Sequence, residues 1–482
     1  MARRRGWRPS PSSAPPCSPG ALAGAGPAER TRCGKFSKIR GICGVLAPRW
    51  VSVKGSDAVT SLTPKNPQQV ASSLPDYEAR YAAIKQKGLK LDMTRGKPSN
   101  EQLDLANGLL TALGASDYKA ADGTDTRNYG GLDGLPEMKA IFAELLETKP
   151  ENVIVGGASS LTMMHDAVVR ALLHGVPGGS GPWSKGKVKF LCPSPGYDRH
   201  FAICQHHGIE MITVGLDHEG PDMAAVEKLV ASDPDIKGMW CVPKYSNPTG
   251  ETYSARVVER LAAMNTAAPD FRLFWDNAYA VHDLFDTTDP LVEILAACAG
   301  AGNPNRPLEF ASTSKISFAG AGVAVLATSA ANVADAKKHL SIQSIGPDKV
   351  NQLRHVRFFK DAAGVRQHMQ KHAELLRPKF DAVTRIFERE LGGSGLAAWT
   401  KPRGGYFVSL DTLDGLATDI VRLADEAGVK LTPAGATFPL GKDPQNRNIR
   451  VAPSLPPASQ VETAMEVVAL CVQLASARKL AG

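Results

Sequence analysis

A chain of 482 residues, 43% of them hydrophobic and 22% charged, is long enough for two or three domain-sized units and reads as a globular protein of enzyme size. The formal net charge of +8 is concentrated at one end: the first 55 residues hold eleven Lys and Arg against the single acid Glu29, which leaves about −2 for the rest and excludes a nucleic-acid-binding surface on the body by charge. No apolar run approaches the ~20 residues of a membrane span and no signal-peptide core is visible, so a soluble, cytoplasmic protein with no membrane partner is expected.

Residues 1–70 are rich in Arg, Ser, Pro, Gly and Ala and too poor in apolar side chains to order themselves, so a disordered basic extension is expected there. A targeting presequence, a basic tail and an extension upstream of the true start compete, and the lack of an amphipathic period favours the last two. Cys17, Cys33 and Cys43 fall in this segment, while Cys192, Cys204, Cys241, Cys298 and Cys471 sit mostly in apolar runs. None forms a Cys-x-x-Cys pair, so reduced core thiols are expected, with no disulfide and no metal site.

From Pro75 to Lys90 the pattern is helical, and it breaks into the turn Arg95-Gly96-Lys97-Pro98, where Gly96 lets the backbone approach a ligand. The glycine-rich stretch around Tyr129 feeds a helix over Glu137–Glu147. A strand over 152–155 then leads through Gly156-Gly157-Ala158-Ser159-Ser160 into a helix over 161–173, and small residues at a helix start can capture phosphate or simply cap the helix. Strands over 188–192, 210–214, 238–242 and 271–275 follow, with Tyr197, Asn247 and Asp276 just beyond strand ends. Leu308-Glu309-Phe310 leads into Ser312-Thr313-Ser314-Lys315, a lysine after a hydroxylated run and before a Gly-rich turn, which suits an amine meeting an aldehyde cofactor beside its phosphate. Short apolar strands alternating with helices, with polar residues at the strand ends, argue an α/β fold with a mainly parallel sheet and a ligand crevice along that edge. From about Asp348 the chain changes to α+β: a long helical stretch over 349–390, a strand over 404–410, a helix over 418–427, a strand over 448–453 and a helix from Ala458.

Asn247-Pro248-Thr249-Gly250, Asp276-x-x-Tyr279, Ser312-x-Ser314-Lys315 and Asn448-Ile449-Arg450 stand in one chain in one order. That order resembles the fold-type I aminotransferases that use pyridoxal 5'-phosphate (PLP). More closely, Pro195-Gly196-Tyr197-Asp198-Arg199-His200, Ser312-Thr313-Ser314-Lys315-Ile316 and Ile449-Arg450-Val451-Ala452-Pro453 look like the bacterial aspartate aminotransferases of subgroup Ic, from about Leu74 to the C-terminus. The resemblance implies the PLP-dependent transferase fold of type I: residues 111–347 as the large cofactor-binding domain, with 71–110 and 348–482 forming a smaller α+β domain.

It also implies roles. Lys315 would form the Schiff base and move the proton, Asp276 would pair with the pyridine nitrogen, and Tyr279 and Asn247 would hydrogen-bond the ring's 3'-oxygen. Ala158, Ser159, Ser160 and Ser312 would donate to the phosphate, Tyr197 would stack on the ring, and Tyr129 would reach the phosphate of a neighbouring subunit in a homodimer. Arg450 would fork onto the substrate's α-carboxylate, with Asn247 and Gly96 lining the same pocket. Aspartate and 2-oxoglutarate are the expected substrates in a ping-pong exchange. The alternatives are an aminotransferase for aromatic or aliphatic amino acids, or a PLP-binding transcription regulator. In the broader class an arginine eight residues after the lysine binds the phosphate, and here that position is Val323. Arg95, Lys97 and Arg403 are the cations nearest these motifs that could read a second substrate carboxylate.

Overall fold

The computed structural model describes residues 62–482. The basic segment 1–61, with its expected lack of order and its three cysteines, lies outside the described residues. The strands in chain order are β1 (Leu91–Asp92), β2 (Val153–Val155), β3 (Lys189–Ser194), β4 (Glu210–Asp217), β5 (Gly220–Pro221), β6 (Ile236–Cys241), β7 (Arg272–Asp276), β8 (Pro307–Ser312), β9 (Ala324–Thr328), β10 (Ala397–Trp399), β11 (Val408–Thr412), β12 (Val429–Lys430) and β13 (Asn448–Val451).

Eight of these form one sheet in the order β2-β9-β8-β7-β6-β3-β4-β5. From β8 through β7, β6, β3 and β4 the pairing is parallel, and β9, β2 and β5 join antiparallel at the ends. The fold is α/β, as the alternation of strands and helices requires: each parallel pair needs a crossover, and helices supply it. Because both faces are covered, the central strands are apolar on both. Along β7, Leu273 and Trp275 enter the core on one face, while Phe274 enters the other with Phe190, Trp240 and Phe310. The ring centroids of Trp240 and Phe274 are 4.8 Å apart. Full burial of each such side chain is worth about 1.5–3 kcal/mol, which fixes the register of the strands that carry the site.

The antiparallel sheet β10-β11-β13 has its own core, where Leu410, Ile449 and Val451 pack with Val383 and Phe387 of the helix Ala362–Leu391 and Val468 and Leu470 of the helix Ala458–Ala481. The parallel pair β1·β12 adds to that region and carries the Arg95–Lys97 turn at its end.

Three sequence-based expectations are corrected. Lys65 N–H donates to Ser394 O and a helix covers Pro67–Ser72, so the part of the expected extension from residue 62 to 70 is ordered. The helical stretch over 349–390 is two helices, Lys349–Phe359 and Ala362–Leu391, divided at Lys360 with φ +71°. The reversal is so tight that a Cβ on Gly364 would lie 1.8 Å from Phe359 O, a contact the helical period cannot reveal. The strand expected over 404–410 begins only at Val408, because Gly404 and Gly405 pack against Tyr245 and leave the ladder.

Candidate active site

The parallel strands β3, β6, β7 and β8 end along one edge of the sheet, where the rules of open α/β folds put a ligand crevice. Four chain segments leave that edge with the side chains singled out above. Asp276 is the last residue of β7 and Ser312 the last of β8; Tyr197 follows β3, and Asn247 follows β6.

Asp276 is 3% exposed, and its two oxygens are unequal. Oδ2 lies 3.0 Å from His200 Nε2, whereas Oδ1 is buried with no hydrogen-bond partner. His200 comes from the helix Asp198–His206 and stacks on Trp240 with centroids 4.3 Å apart and planes 9° from parallel. Tyr197, just before that helix, meets the His200 ring edge-on at 4.9 Å. Burial, with help from the Asp276 charge, pushes the Tyr197 hydroxyl up to about 12. A buried carboxylate oxygen without a donor costs ~1–3 kcal/mol or more, so the arrangement is suited to receive one.

Lys315 extends its Nζ over the Tyr279 ring at 4.8 Å from the centroid. Desolvation lowers its pKa below the ordinary lysine value, against the opposing pull of Asp276. Tyr279 is buried and its hydroxyl is held well above the usual range by the same loss of water. The carbonyl of Lys315 accepts from Tyr406 Oη at 3.3 Å, and Tyr406 in turn accepts from Gln102 Nε2 at 2.9 Å. His282 packs edge-on to both Tyr279 and Tyr406, and burial and the Lys315 charge hold it well below the usual imidazole range.

At the start of the helix Ser160–His174, Ser159 makes no side-chain cap, so the first turn keeps its N–H groups for another acceptor. The Ser312 hydroxyl donates to Ser314 Oγ at 3.1 Å, and Ser314 Oγ donates to Ala158 O at 3.2 Å, which ties the turn before Lys315 to the start of that helix. Val323 is buried, with its N–H on Thr313 Oγ1 and its carbonyl receiving Thr313 N–H, so this position supplies structure and no charge.

Arg450, from β13, donates to Asp198 Oδ1 at 3.0 Å and to Asn247 Oδ1 at 3.3 Å, and its guanidinium lies 5.0 Å from the centroid of the Phe407 ring. Gly96 packs against the same ring: a Cβ there would come within 2.1 Å of Phe407. Arg95 and Lys97 are exposed, while Arg403 is taken up by Asp289 at 3.2 Å and by Thr287. Tyr129 is 80% exposed on its loop, apart from these contacts within the chain.

Sequence reasoning gave no role to His200, Phe407, Tyr406, Gln102 or His282. For His200 a signal existed, since it lies three residues after Tyr197 at the start of a helix and shares its face. His282 likewise lies three residues after Tyr279 and packs edge-on against it, whereas Phe407, Tyr406 and Gln102 meet the site only through contacts far apart in sequence.

Residues 65–482 match the protein family described as Aspartate amino-transferase. The aspartate aminotransferase of Corynebacterium glutamicum is 53% identical over 407 residues, which span 84% of this chain and 94% of that one. The crystal structure of an aspartate transaminase from the same species superposes with a TM-score of 0.85 at 51% identity, covering 88% of this chain and all of that one. An α-aminoadipate aminotransferase from Thermus thermophilus, complexed with N-(5'-phosphopyridoxyl)-L-leucine, shares the fold at 20% identity with a TM-score of 0.65 over 83% of this chain and 97% of its own. With a match over most of its length and relatives above half identity, the chain belongs to the aspartate aminotransferase family.

Proposed function

We propose that this aminotransferase exchanges an amino group between aspartate and 2-oxoglutarate in a ping-pong cycle, with PLP bound at Lys315 and two chains forming the working unit. The observation that carries the reading is the buried, unpartnered Oδ1 of Asp276. With Oδ2 on His200, that oxygen suits one protonated ring nitrogen, and the open turn at Ala158, Ser159 and Ser160, with Ser312 beside it, suits a phosphate. PLP, when bound, supplies the electron sink that lets an α-amino acid lose its Cα proton.

The chain's own residues then do the following. Asp276, backed by His200, would keep the ring nitrogen protonated. Lys315 would hold the cofactor and, once released by substrate, take the Cα proton on Nζ; its lowered pKa leaves more free amine at neutral pH. Tyr279 and Asn247 would hydrogen-bond the ring's 3'-oxygen, and Tyr197 would cover the ring. Arg450 would turn from Asp198 to the substrate's α-carboxylate over Phe407, with Gly96 setting the floor of the pocket. Tyr129, exposed in one chain, would complete the phosphate site of its partner in the homodimer.

Arg95 and Lys97 are the candidates for reading the second carboxylate, and Arg403 drops behind them because Asp289 already neutralises it. The test is a panel of amino-acid donors followed by single-turnover loss of the cofactor's visible absorbance, in the wild type and in Arg95→Ala and Lys97→Ala. Aspartate and glutamate are expected to react fastest, with their lead over alanine reduced in the variants. Aromatic or aliphatic donors outrunning aspartate would overturn the substrate assignment.

A further inference from the structure

Three histidines that take no part in the crevice meet between two of its helices, one from the second turn of the first and two from the C-terminal end of the second. His165 lies in the helix Ser160–His174, His206 closes the helix Asp198–His206, and His207 caps it. His165 Nε2 and His207 Nε2 face each other at 3.1 Å, and one ring nitrogen from each of the three lies within 4.8 Å of the other two. His165 and His207 are half-buried and His206 is exposed. We propose that His165, His206 and His207 form a binding site for a divalent transition-metal ion of the zinc, cobalt and nickel class, with the remaining coordination position open to solvent.

The geometry is close to what such an ion asks for. Bonds of about 2.0–2.1 Å from imidazole nitrogen to zinc, at a tetrahedral angle, put two ligand nitrogens about 3.4 Å apart. The His165 to His207 spacing is already near that value. The third ligand stands wider, but His206 is exposed and its side chain can turn inward without disturbing packed neighbours. Neutral imidazole is the form that binds metal, and it is the major form of an ordinary histidine above about pH 6.5. A second observation points the same way. Asp166 Oδ1 lies 3.7 Å from His165 Nδ1, on the ring nitrogen opposite the one that would bind, and Asp166 is itself held by Gln343. At that distance the carboxylate makes no hydrogen bond to the ring, but its charge favours a cation bound beside it. No carboxylate is in the set of three, which with all-imidazole donors selects against magnesium and calcium.

The placement gives the ion a structural consequence. The helix Ser160–His174 starts at the open turn of Ala158, Ser159 and Ser160, and the helix Asp198–His206 starts beside Tyr197 and carries His200. An ion across His165 and His206–His207 would tie the second turn of the first helix to the C-terminal end of the second. The spacing of 41 residues between His165 and His206 matches no zinc motif, and the pairing exists only once β3 has brought the second helix alongside the first.

The experiment uses untagged, cofactor-loaded enzyme, stripped with a chelator and titrated calorimetrically with Zn²⁺ and optically with Co²⁺. One ion per chain is expected, with Co²⁺ giving ligand-field absorption to the red of the cofactor's band and Zn²⁺ raising the melting temperature. His165→Gln and His207→Gln should each weaken binding by at least about tenfold. His206→Gln, at the exposed position, should weaken it without altering the metal-free melting temperature, which keeps the test valid if the half-buried variants fold poorly. Absence of saturable binding up to millimolar metal overturns the site. So does binding that survives in the three single variants, or a Zn²⁺ response seen only as a shift of the cofactor's own absorbance, which would place the ion at the crevice instead.

Discussion

Asp276 and His200 are joined through a single oxygen: Oδ2 lies 3.0 Å from Nε2, and the other oxygen is left buried and bare. The imidazole therefore fixes the carboxylate's orientation and leaves the lone pairs of the other oxygen free for a donor. Asp276→Asn removes the charge that holds a ring proton, and a loss of about 10²–10³ in kcat is expected, the scale of one missing electrostatic contact to the reacting group. His200→Gln should cost less, about tenfold, with the absorbance of the bound cofactor changing its dependence on pH. Equal losses for both variants in cofactor content would make the pair a matter of folding alone.

Lys315→Ala should retain cofactor through the remaining contacts yet lose essentially all turnover, because the proton carrier and the covalent anchor disappear together. In the wild type the free-amine fraction of Lys315 grows as pH rises through a pKa lower than that of an ordinary lysine, so the rate of proton abstraction should climb with pH and level off earlier than pH 10.5. Borohydride should fix the cofactor to the wild type and not to the variant. A Lys315→Ala enzyme running near the wild-type rate would remove the lysine from the reaction.

Arg450→Lys keeps the charge but loses the planar fork, and the guanidinium stacking on Phe407 goes with it. All donors should weaken by a similar factor in kcat/KM, corresponding to roughly 1.5–3 kcal/mol for a hydrogen bond to a charged group. A loss confined to acidic donors would instead assign Arg450 to the side chain of the substrate.

Gly96→Ala forces a methyl into the Phe407 ring at a backbone-fixed 2.1 Å. The ring must move, and with it the support of Arg450; overpacking of this kind costs about 1–3 kcal/mol. KM should rise for every donor with a smaller change in kcat. An unchanged KM, measured on a variant of wild-type stability, would show that the Phe407 layer does not set the pocket.

Glu309 in β8 gives a stability prediction independent of the chemistry. Its Oε1 accepts from Asn277 Nδ2 at 2.9 Å, its Oε2 is buried without a partner, and burial pushes the carboxyl up to about 8 from 4.5. The folded chain thus keeps a proton that the unfolded chain has released, so this contribution is fully present below about pH 4.5 and is lost as pH rises toward 8. The loss should be of the order of a few kcal/mol. Glu309→Gln has no proton to release, and its urea midpoint should fall less between pH 5 and pH 8 than that of the wild type. Parallel falls would mean that Glu309 is ionised in the folded chain.

The strands of the central sheet were legible because their apolar runs are short and bounded by turns, and Lys315, Asp276, Asn247 and Arg450 because each sits in a local motif. Apart from His200 and His282, each three residues after a tyrosine of the site, what escaped has no local signature. Gln102 meets Tyr406 across 304 residues, and Arg403 meets Asp289 only after the chain has folded back on itself. The break at Lys360 interrupts a helical period that continues on both sides of it, so periodicity alone reads straight through.

The stacking of Trp240 on His200 has an optical consequence. An indole one ring removed from the Asp276 carboxylate is a donor of excitation energy to any absorbing ring that docks there, and its short distance makes the transfer efficient. The chain's own fluorescence should therefore dim as the cofactor enters and recover as it leaves, giving a label-free gauge of loading that needs neither substrate nor turnover.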